Sequence, residues 1–74
     1  MEQYKFFLRD LVSLLKEKLK ESKQREVSNP NDDFEKGLVM GFYESLDLIK
    51  YQANIFEIPM DEIGLDNYNL EEYL

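Results

Sequence analysis

The sequence predicts an all-α protein: an antiparallel two-helix hairpin, a short C-terminal helical turn and tail, and pairing of two such hairpins into a dimeric four-helix bundle. Three observations predict it. Residues 2–26 and 32–57 both carry apolar side chains at helical spacing. Only residues 27–31 separate the two stretches, so the helices must be antiparallel neighbours. The second stretch has two apolar stripes, where a helix with one neighbour needs one. The 74 residues are read as a single domain, with the tail at 58–74.

In the first helix, Tyr4, Leu8, Leu11, Leu15, Lys18 and Ser22 follow a 4-3-4-3-4 seam, widened to a core face by Phe7, Val12, Leu14 and Leu19. The apolar seam fades after Leu19, so the last turns are expected to project past the core or fray. Lysines and arginines from Lys16 to Arg25 alternate with Glu17 and Glu21, the mark of a solvated face rather than of a nucleic-acid patch. Phe6 falls on the outer face.

Val27-Ser28-Asn29-Pro30-Asn31 is the connection. Pro30 disfavours helix at the residue before it. Asp32 is placed to cap the second helix, with Glu35 at capping-box spacing.

The second helix turns Phe34, Leu38, Val39, Phe42, Leu46, Ile49, Ala53 and Phe56 toward the first. Its opposite stripe, Gly37, Met40, Gly41, Leu48, Tyr51 and Ile55, is assigned to self-association. Each of the two glycines costs a helix interior about 1 kcal/mol against alanine. Either they admit a close neighbour or they lie near a fraying end and beside bulky residues. Pro59 bars continuation of the helix.

In the tail, Pro59, Asp61 and Glu62 predict one helical turn ending at Gly64, and Asn69 is placed to cap a second. Ile63 and Leu65 are expected to pack on the hairpin, with the last residues looser.

Composition narrows the functional classes. There is no cysteine and no histidine. Thiol nucleophiles, thiolate metal sites and the usual neutral-pH base are therefore lacking. Asn29, Asn31 and Asp33 space oxygens like the start of a calcium loop, but Phe34 and Met40 stand where that loop needs glycine and glutamate. Capping explains the carboxylates at the second helix start. No catalytic residue, metal or cofactor is assigned.

Net charge is −7 and uneven: residues 1–30 hold seven basic and five acidic side chains, residues 31–74 two and eleven. That disfavours phosphate backbones as partners. No apolar run is long enough to cross a bilayer and the first ten residues do not read as a signal peptide, so a cytoplasmic location is expected.

The reading is a small, acidic, non-enzymatic protein–protein interaction module that pairs with itself through the second helix. The alternative is an inhibitor or immunity-type protein. It would neutralise a basic enzyme or nucleic-acid-binding protein through an acidic face of Glu44, Asp47, Glu57, Asp61, Glu62 and Asp66.

Overall fold

The computed structural model describes residues 2–74. Its described residues are all helical or irregular: α1 (Glu2–Ser28), α2 (Asp33–Ile55) and two 3-10 turns, Met60–Glu62 and Leu70–Tyr73. The hairpin is a rod of 44 × 20 × 18 Å. Its radius of gyration is 13.3 Å, where a compact chain of this length would have about 11 Å.

The reversal between helices is fastened on both sides. The Asp32 carboxylate accepts from the backbone N–H of Phe34 and Glu35 at 3.0 and 3.4 Å. Glu35 does not reach back to complete a capping box. Its carboxylate instead accepts from the Arg25 guanidinium at 3.0 Å, tying the end of α1 to the start of α2. α1 stays helical to Ser28, and its last turns run past the apolar core, one of the two outcomes the sequence implied. Ser22 is fully buried in the seam and donates its hydroxyl proton to the Leu19 carbonyl at 3.0 Å, so the polar side chain enters the interface satisfied.

α2 stops before Pro59 is reached. The Ile58 N–H donates to the Ala53 carbonyl at 2.8 Å and the Glu57 N–H to the Asn54 carbonyl at 3.2 Å. This is the Schellman pattern, and it puts Glu57 in the left-handed region at φ 57°. The chain then runs back along the hairpin. Pro59 caps the first 3-10 turn, Gly64 turns the backbone at φ 77°, and the Asn69 side chain caps the second by accepting from the Glu71 N–H at 3.2 Å.

The core is Val12 and Leu19 of α1, Val39, Leu46 and Ala53 of α2, and Ile63, Leu65 and Leu70 of the tail. Leu8, Leu15, Phe42 and Ile49 flank it. The tail packs further along than the sequence implied, since Leu70 is buried and Tyr73 packs against the core.

Two parts of the sequence-derived core are overturned. Phe34 and Phe56, placed on the core face of α2, are 70% and 71% exposed. Tyr4, Phe7, Leu11 and Leu14, placed on the core face of α1, are exposed as well. The working α1 seam is Leu8, Val12, Leu15, Leu19 and Ser22, one heptad row over. The cause is the tail: Ile63, Leu65 and Leu70 fill one flank of the inter-helix groove and draw Val12 and Leu19 inward. Among the described residues nothing fills the other flank.

Candidate interaction surfaces

At 100° per residue, positions three and four apart share a helix face. On α1, Val12 and Lys16 turn to the tail flank, and Phe7, Leu11 and Leu14 to the opposite flank. On α2, Tyr43, Asp47 and Lys50 border the tail across a polar cleft that also includes Tyr68, Asn69 and Glu71. Leu38, Ile49, Gln52 and Phe56 lie on the opposite flank, and Leu48 and Gly41 just beyond it.

The tail flank is held by polar contacts. The Lys16 ammonium donates to the Gly64 carbonyl at 2.9 Å and sits 4.5 Å from the centre of the Tyr68 ring. Tyr68 stacks on Tyr73 with ring centroids 6.1 Å apart. Among the described residues the Tyr68 hydroxyl is buried without a hydrogen-bond partner. Burial pushes its phenol pKa well above the ordinary tyrosine value, and the neighbouring Tyr73 and Glu72 push it the same way.

The open flank is apolar. A shallow groove of about 290 Å³ runs along it, lined by Leu8, Leu48, Ile49, Gln52, Ala53, Phe56 and Ile58. Phe7 of α1 stands 67% exposed, and Leu14, two turns further on, 49%.

The stripe assigned to self-association lies on the surface of the single chain. Leu48 is 59% exposed and Tyr51 62%, and Met40, Ile55, Gly37 and Gly41 are also exposed. A methyl group built on Gly37 or Gly41 would meet nothing within 4 Å, so neither the tail nor α1 occupies that notch. Leu48 and Gly41 belong to this stripe and also border the open flank. The α1 residues on that flank were missed as surface because the sequence reading expected Ile63 and Leu65 to pack on the hairpin but did not say which flank they would fill. Four apolar tail residues within eight positions, Ile63, Leu65, Tyr68 and Leu70, carried that signal.

The six acidic residues of the alternative face, Glu44, Asp47, Glu57, Asp61, Glu62 and Asp66, are all exposed. Asp47 borders the tail, Glu57 follows α2, and Asp61 and Glu62 lie in the first 3-10 turn. Among the described residues no group of acidic side chains is arranged to hold a metal ion, and no helix is long and apolar enough to cross a membrane.

No family model, curated protein or solved structure matches this chain.

Proposed function

We propose that this chain is a non-enzymatic interaction module that pairs with a second copy of itself through α2. The observation that carries the reading is a surface larger than a compact monomer's, with large apolar side chains exposed along one flank. The surface measures 5499 Å², and a compact 8.9 kDa monomer would expose about 4,800 Å². On the open flank Phe7, Leu48 and Phe56 are each more than half exposed. A patch of this kind is the ordinary signature of an interface.

Self-association makes the melting temperature rise with protein concentration, because mass action favours the folded dimer. Thermal unfolding at several concentrations tests this. A concentration-independent midpoint contradicts it. Leu48→Asp is expected to abolish the concentration dependence and leave the helix content unchanged, since Leu48 lies outside the hairpin core.

A second reading is supported by charge. Residues 31–74 hold eleven acidic and two basic side chains, and the six named carboxylates face solvent. A neutraliser of a basic protein would bind faster at low salt. Retention by a basic partner that high salt releases favours this reading, and indifference to salt counts against it.

A further inference from the structure

We infer that the second copy docks on the two-helix face opposite the tail, with the two-fold axis parallel to the helices and both loops at the same end. This rests on the self-association reading and specifies its surface.

The face is built by Phe7, Leu11 and Leu14 of α1 with Leu48 and Phe56 of α2, all exposed in the single chain. It is the unfilled flank of the groove whose other flank the tail closes. Together these five side chains expose on the order of 500 Å², taking about 150–250 Å² for each large side chain when free. A standard interface buries about 600–1,000 Å² per partner, a little over half of it apolar. The apolar share is therefore the share that a stable dimer needs. The outer stripe of α2 alone is narrower and is interrupted by Glu44.

The distribution of these residues limits the orientation. All five lie between the middle of the hairpin and the end away from the 29–31 turn. Full overlap of patch with patch along the rod requires the two open ends to coincide. A two-fold axis along the helices does this, and it sets α1 of each chain across from α2 of the other. An axis across the helices instead sets α1 on α1 and α2 on α2.

The net charges of the whole helices favour the first. α1 holds seven basic and five acidic side chains, and α2 two basic and four acidic. Setting α1 across from the partner's α2 places net positive beside net negative. The crossed alternative stacks like on like, which costs association free energy.

The arrangement sets Leu14 of one chain opposite Ser45 of the other at nearly the same height. The chain has no cysteine, so introduced thiols report without background. Leu14→Cys and Ser45→Cys chains are mixed in equal amounts, left to exchange and air-oxidised. The expected result is the mixed disulfide, approaching half of all chains, with both single-variant disulfides absent. Recovery of the single-variant disulfides, or of no cross-link from a wild type that sediments as a dimer, overturns the arrangement and leaves self-association standing. A wild type that sediments as a monomer overturns both. As a check that needs no thiol, Leu11→Asp is expected to give a monomer that keeps its helix content, and Tyr51→Asp to remain dimeric. The reverse pattern would move the interface to the outer stripe of α2 and refute the inference.

Discussion

The Lys16 ammonium and the Gly64 carbonyl, 48 positions apart in sequence, meet at 2.9 Å. This contact latches the tail onto the hairpin. It joins the middle of α1 to the one glycine whose backbone is left-handed, at φ 77°. The Tyr68 ring lies under the same ammonium at 4.5 Å. A single cation therefore bonds the turn and covers the segment that follows it.

Replacing Lys16 by methionine keeps the aliphatic stem and removes both polar contacts. Charged hydrogen bonds and cation–π contacts at half-exposed sites set the expected loss at about 1–2 kcal/mol. Urea unfolding checks the magnitude. Hydrogen exchange checks the place: the Leu65 amide, bonded to the Met60 carbonyl at 3.0 Å, is expected to exchange faster than in the wild type. The amides of central α2 are expected to follow only the global change.

Glu57→Gly is expected to stabilise the chain by about 1 kcal/mol. Glu57 holds φ 57° at the end of α2, where an L side chain costs about 1–2 kcal/mol and glycine is the common solution. Part of the gain is lost to the greater backbone freedom of glycine in the unfolded chain. Chemical denaturation measures it. A destabilised Glu57→Gly would mean that the glutamate side chain makes a contact outweighing its backbone strain.

Tyr68→Phe separates a buried hydroxyl from the ring that carries it. The hydroxyl has no hydrogen-bond partner among the described residues, so its removal is expected to leave stability at neutral pH unchanged or raise it by about 1 kcal/mol. The pH dependence has a definite sign. Burial raises the folded-state pKa above the ordinary tyrosine value, which is near 10. Above that value the unfolded chain loses the phenolic proton while the folded chain keeps it, so stability falls as pH rises through and beyond about 10. The wild type is therefore expected to lose stability above that pH faster than Tyr68→Phe does. Parallel alkaline titrations of the two chains would contradict this.

Leu46→Ala is expected to cost about 2–5 kcal/mol, because the side chain is fully buried at the centre of the hairpin. Phe34→Ala is expected to cost about 0.5 kcal/mol, the scale of an ordinary surface change. The contrast tests the position of the core directly, since both residues lie on the apolar stripe that the α2 sequence presents.

Helix periodicity made the hairpin readable. Pro30 and Asp32 marked the reversal, and Asn69 the last cap. The row of α1 that enters the core was not readable from the hairpin alone. Leu8, Leu11, Leu15 and Leu8, Val12, Leu15 are equally good seams by spacing, and the choice depends on which flank the tail fills. The tail residues Ile63, Leu65 and Leu70 act from 40 or more positions away, through packing that no local pattern encodes. The stop of α2 was misplaced for a different reason. Pro59 is a strong breaker, but Glu57 takes the left-handed position that usually calls for glycine. The second apolar stripe of α2 was legible and is exposed, and its continuation onto α1 became visible only once Phe7 and Leu14 were found outside the core.

Sedimentation equilibrium of the wild-type chain at low micromolar concentration decides whether two hairpins pair. The open apolar flank predicts a mass twice the 8.9 kDa of one chain, falling to the single-chain mass for Leu11→Asp. A wild-type chain that remains fully helical at the single-chain mass, at every concentration up to the millimolar range, would contradict it.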